Sequence, residues 1–147
     1  MRLPVALFVA LVAFTLTACG PKATSVPYTP TVNAQTSPID YIRSGGFIGA
    51  NDHLSIDLSG HAILTRRTGN SEFDLTRDGL TAILAAFQSA DFVALPASAM
   101  PAGIPADGFS YTVTYQGHTV KTADTAVPRS LKPVLTRLNQ IIDSKGK

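Results

Sequence analysis

The chain has a single cysteine, Cys19, among 147 residues, so no internal disulfide can form. Long apolar runs are also missing. The stretch from Leu3 to Leu16 has 14 residues and is interrupted by Pro4 and Thr15. A membrane-spanning helix needs ~20 apolar residues, so this stretch falls short of an easy span. Charge is scarce and balanced, with 12 Lys and Arg against 10 Asp and Glu. That balance lacks the electrostatic footprint by which proteins hold a phosphate backbone, and no nucleic-acid partner is expected.

The signatures of catalysis are missing too. There is no H-E-x-x-H, no G-x-S-x-G nucleophile elbow, and no glycine-rich phosphate loop. The histidines, His53, His61 and His118, form no i, i+4 pair that would place two imidazoles on one helix face. His61 and His118 each follow a glycine turn and open a return strand, where an imidazole reads as a surface turn residue. Asp57 and His61 flank Ser59-Gly60, and hairpin geometry explains that cluster. Arg66-Arg67 is the only basic doublet and reads as a solvated strand end. The chain is not expected to be an enzyme, and no catalytic residue, metal site or cofactor is assigned.

What is present begins at the amino terminus. Arg2 supplies a positive charge, the apolar run follows, and Leu16-Thr17-Ala18-Cys19 closes it. An aliphatic residue, two small ones and a cysteine resemble the lipobox of bacterial lipoproteins. The resemblance implies that the Cys19 thiol is alkylated with diacylglycerol and the peptide is cut just before it. Residues 1–18 are then a signal peptide, and Cys19 is the lipidation site. The protein is expected outside the cytoplasm, anchored by lipid to the cell membrane or the outer membrane. Two acyl chains suffice for stable anchoring where one does not. Cleavage removes Arg2 from the 12 basic residues and leaves 11 against 10 acids.

Residues 19–37 read as the lipidated cysteine followed by a flexible linker. From Gly20 to Ser37 the chain holds Pro21, Pro27 and Pro30, one lysine and no acid. So little apolar side chain cannot offset the entropy of ordering. A flexible chain of that length spans roughly 25 Å.

Residues 38–147 form one domain. Leu54, Ile56 and Leu58 alternate with polar residues as in a half-buried strand, Ser59-Gly60 turns as a two-residue hairpin, and His61 to Arg66 returns. Ile39 and Tyr41, with Phe47 and Ile48 as an extension, mark a strand before it, broken by Gly45-Gly46. Thr76 is placed to cap a helix carrying Leu80, Ile83, Leu84 and Phe87. After a Pro- and Ala-rich loop at 97–107, Phe109, Tyr111, Val113 and Tyr115 alternate in the clearest strand. Gln116-Gly117 turns it back into His118 to Thr122. A last helix carries Leu131, Val134, Leu135, Leu138, Ile141 and Ile142, with Pro133 in its first turn. The expectation is an α+β fold: an antiparallel sheet of about four to five strands with two helices packed on one face, in the order β-β-β-α-β-β-α.

Two segments stand apart. In Arg43-Ser44-Gly45-Gly46-Phe47-Ile48-Gly49, glycines surround two bulky apolar residues. One reading is a bulge or turn with Phe47 in the core. The other is a shaped surface for a partner. The run from Leu95 to Pro105 is long, apolar and stiffened by prolines, which lowers the ordering cost of presenting Met100 and Ile104. A concave pocket lined by Tyr111 and Tyr115 would instead favour a small ligand.

The run Arg43-Ser44-Gly45-Gly46-Phe47-Ile48-Gly49 resembles the R-x-G-G-F-x-G opening of the emfourin-like family. Ala90-Asp91-Phe92, Leu95-Pro96, Asp107-Gly108-Phe109-Ser110-Tyr111 and the span from Asp124 to Pro128 are similar in order and spacing. The resemblance covers residues 39–142. That family takes its name from a small protein inhibitor of protealysin, a thermolysin-like zinc metalloprotease. The resemblance implies an α+β domain that binds and blocks a secreted metalloprotease, and no contact residue is carried over from it. Such proteases favour a bulky apolar residue just after the scissile bond, so Phe47, Ile48, Met100 and Ile104 are the candidate partner contacts. The alternative is a non-inhibitory cell-envelope module that binds a protein or a small ligand.

Overall fold

The computed structural model describes residues 39–145; the expected signal peptide at 1–18, Cys19 and the expected linker at 19–37 lie outside them. The described chain is α+β, as expected, but its sheet is larger than expected. Its strands run β1 (Ile39–Gly45), β2 (Ala50–Ile56), β3 (His61–Arg66), β4 (Gly69–Asp74), β5 (Ser98–Ala99), β6 (Phe109–Tyr115) and β7 (His118–Ala123). Helix α1 (Arg77–Ser89) follows β4, and helix α2 (Lys132–Lys145) follows β7. The seven strands lie in the order β4-β3-β2-β1-β6-β7-β5. Every pairing is antiparallel except that of β5 with β7, so the sheet is mixed.

Two strands were not expected, and each has a physical reason. Strand β4, Gly-Asn-Ser-Glu-Phe-Asp, is an edge strand whose residues are exposed apart from half-buried Phe73, so it carries no apolar alternation. Strand β5 is two residues long and exists only because β7 lies beside it. The β2–β3 connection also differs. Leu58 is not in the strand but exposed at the turn. The Asp57 N–H donates to the His61 carbonyl at 2.9 Å, leaving three residues between them, with Gly60 at φ 92°. Three-residue hairpin loops commonly end on such a left-handed glycine.

One face of the sheet is covered by both helices. Cross-strand neighbours Tyr41, Leu54, Leu64, Val113 and Val120 are all fully buried. They form one core with Ile83 and Phe87 of α1 and Val134, Leu138 and Ile142 of α2. The aromatic rings interlock there: Phe87 stacks on Tyr115 at 4.3 Å and meets Phe92 edge-on at 5.1 Å. Such pairs contribute about 0.5–1.5 kcal/mol beyond area burial. Thr76 caps α1, its Oγ1 accepting from the Gly79 N–H at 3.1 Å. No helix among the described residues is long and apolar enough to cross a membrane.

The register decides where the loops gather. Gly45 is opposite both Ala50 and Phe109, Arg66 is opposite Gly69, and Ser110 is opposite Ala123. The turn at 46–49, the turn at 67–68 and the loop at 100–108 therefore emerge at one end of the sheet. Ile39, where the described chain begins, pairs with Ile56 and Tyr115 at the other end.

Candidate functional site

The rim at the 46–49 end holds all four candidate contact residues. Phe47 is 95% exposed and Ile48 81%, so Phe47 is not part of the core. Their backbone is fixed nonetheless. Gly45 and Gly46 adopt φ of 109° and 71°, a region where side-chain-bearing residues are strained. A Cβ on Gly46 would overlap the Phe109 ring. The Gly46 N–H donates to the Gly108 carbonyl at 3.0 Å, and the Gly49 N–H closes the turn on the Gly46 carbonyl at 3.0 Å. Tight backbone contact and the Phe109 ring thus turn Phe47 and Ile48 outward.

Ile104, 41% exposed, packs against Gly108, the residue that accepts from Gly46. Met100, 42% exposed, follows β5. It sits three strand spacings from β1, about 14 Å across the rim. The four residues share an end of the sheet, yet they do not form one contiguous patch around a single point.

Beside the hairpin tip lies a cleft of about 700 Å³, bounded by Ile48, Phe109, the 67–68 turn and the end of α2. Its floor is charged. Arg43 donates from Nε and Nη2 to Asp52 Oδ2 at 3.0 and 2.8 Å, and from Nη1 and Nη2 to Asp143 Oδ1 at 3.1 Å each. The same guanidinium lies over the Phe109 ring, 5.5 Å from its centroid. Arg66 Nε is 3.3 Å from Asp52 Oδ1, and its Nη2 donates to the Ile142 carbonyl near the end of α2. Burial works against the Arg43 charge, but the hydrogen bonds it donates to Asp52 and Asp143 outweigh that and hold the pKa above the ordinary value.

Sequence reading missed this network. Arg66 is not a solvated strand end: it turns inward to Asp52, and only Arg67 is exposed. The signal lay in hairpin arithmetic, because a turn at 46–49 puts Arg43 opposite Asp52. Asp143, 100 residues away along the chain, had no local signal.

A ligand pocket lined by Tyr111 and Tyr115 is not present; both rings are buried in the core. The Tyr111 hydroxyl donates to Asp124 Oδ1 at 2.5 Å, and the Tyr41 hydroxyl to Asn139 Oδ1 at 2.8 Å. Burial raises the pKa of both phenols far above the ordinary value, so they stay neutral donors. Each histidine has a partner: His53 on Asp40 at 2.7 Å, His61 on Asp74 at 2.9 Å, and His118 on the Leu95 carbonyl at 2.9 Å. Ser59 Oγ donates to Asp57 at 2.6 Å and His61 faces Asp74, so the Asp57–Ser59–His61 cluster serves the turn. Among the described residues, no three His, Cys, Asp or Glu side chains gather as metal ligands.

A second cavity of about 300 Å³ lies between α1 and α2, over Leu75, Ile83 and Ile141, and holds none of the candidate contacts. No protein-family model matches the chain, and no curated protein sequence is significantly similar to it.

Proposed function

We propose that this chain is a lipid-anchored extracytoplasmic protein whose α+β domain binds a secreted thermolysin-like metalloprotease through the rim and inhibits it. The observation that carries this reading is the outward display of Phe47 and Ile48 on a rigid turn. Two adjacent bulky apolar side chains in water are a poor arrangement for the free domain. Burying each in a partner's pocket recovers about 1.5–3 kcal/mol. A preorganised tip loses little entropy on docking, and such protruding anchors concentrate binding energy. The emfourin-like resemblance of the same segment names the kind of partner. Ile104, one strand away, extends the apolar contact.

The chain's direction supports a tethered arrangement. Strand β1 runs from Ile39, next to the proposed linker, to Gly45 beneath the tip. Seven extended residues carry the rim about 20 Å from Ile39.

The test is an inhibition assay against several thermolysin-like proteases. The wild-type protein at micromolar concentration is expected to suppress peptide cleavage. The Phe47→Ser, Ile48→Ser double variant is expected to lose this while melting at the same temperature. Full protease activity in the presence of wild-type protein would end the inhibitor reading. A second reading, a non-inhibitory envelope-binding module, is favoured by the charged cleft, which suits a ligand other than a protease active site. It predicts an envelope protein captured through the rim with proteolysis unchanged.

A further inference from the structure

We infer that the cleft beside the hairpin tip is a carboxylate-binding subsite, one that seats an acidic group carried next to an apolar side chain of the protein partner. This rests on the reading that the rim docks a protein, and it adds what that protein must present.

Three of the chain's 12 basic residues, Arg43, Arg66 and Arg67, line the cleft, against Asp52 and Asp143 of its 10 acids. The acids are not equivalent. Asp52 is buried and engaged by both Arg43 and Arg66. Asp143 reaches in from α2, and its side chain is 65% exposed. Arg67 is different from the other two arginines. It lies on the exposed 67–68 turn and donates to the Gly49 carbonyl at 3.3 Å. No carboxylate among the described residues pairs with it. The cleft therefore keeps at its mouth one guanidinium, Arg67, that no described carboxylate holds, beside an Arg43 whose donors are already taken by Asp52, Asn139 and Asp143.

The walls set the second half of the recognition. Ile48 and the Phe109 ring flank the arginines, so an incoming carboxylate is accompanied by apolar surface. A guanidinium binds a carboxylate through parallel N–H donors, stronger than neutral hydrogen bonds and geometrically selective. Water displaced from Ile48 and Phe109 as a partner docks strengthens that attraction. The Gly49 carbonyl, which Arg67 already holds, ties the arginine to the tip that carries Phe47 and Ile48.

Small probes test this apart from any protease. The purified protein, isotope-labelled and held in mild detergent at neutral pH, is titrated with N-acetyl-phenylalanine, with its amide, and with N-acetyl-aspartyl-phenylalanine amide. Saturable amide shifts confined to the cleft lining, at Ile48, Gly49, Asn51, Thr68 and Phe109, are expected with at least one acid. The acid that acts tells whether a chain-terminal or a side-chain carboxylate is preferred. Arg67→Gln is expected to weaken the response roughly tenfold while leaving the remaining resonances in place. Equal shifts from the uncharged amide, no saturable shift with either acid, or an unchanged response in Arg67→Gln would overturn the subsite. The Phe47 and Ile48 docking surface would still stand, because its own test is loss of protease inhibition on the serine double variant.

Discussion

Gly46 shows how little freedom the tip allows. Its positive φ and the Phe109 ring against its α-carbon leave no room for a methyl group. Gly46→Ala is expected to cost about 1–3 kcal/mol in urea unfolding, and to displace Phe47 enough to weaken partner binding as well. Nothing in the run of residues 43–49 told whether Phe47 faces in or out. That depends on Phe109, brought alongside from 63 positions further on, which occupies the space beneath the turn.

Histidine protonation also acts at this scale. Hydrogen bonding to Asp40 raises the His53 pKa above 6.5, and bonding to Asp74 does the same for His61. A pKa raised in the folded state means that the folded protein holds the proton more tightly than the unfolded chain. The resulting stability is fully present below the unfolded value and is lost as pH rises through the folded one. Melting temperature is therefore expected to fall modestly between about pH 6 and pH 8. His53→Gln with His61→Gln should flatten that slope, and thermal unfolding across the range checks it.

At the scale of elements, the start of α1 and its buried side were legible. Thr76 before Arg77, with Leu80, Ile83, Leu84 and Phe87 at helical spacing, marks both its start and its buried side. Thr76→Ala is expected to cost ~1 kcal/mol by denaturant unfolding, and Thr76→Ser almost nothing, since serine retains the oxygen that accepts from Gly79. Strand β6 was equally clear, because Tyr111, Val113 and Tyr115 lie against the helices while Thr112 and Thr114 face away. Strands β4 and β5 left no such trace. Edge strands earn their place through backbone hydrogen bonds to a neighbour, which no side-chain period records.

At the scale of the whole described domain, the sheet has two unlike ends. The described chain enters at Ile39, and the tip, the charged cleft and the 100–108 loop lie at the far end of β1. If Cys19 carries the lipid, Cys19→Ser should move the protein from the membrane fraction to the soluble one and abolish incorporation of labelled fatty acid. Cell fractionation checks this, and it leaves the rim untouched. Protease inhibition by the released protein should persist, because the substitution leaves every rim residue unchanged.

Local order in this protein is written in its sequence: strand alternation, the capping threonine, the glycine turns and the apolar faces of both helices depend on neighbours within a few positions. The tertiary structure alone decided the sheet order, the presence of β4 and β5, and the outward display of Phe47 and Ile48. It also decided the meeting of Arg43, Asp52, Arg66 and Asp143 in one cleft. These features arise from registers and contacts between segments as many as 100 residues apart, and exposure is settled only when one surface covers another.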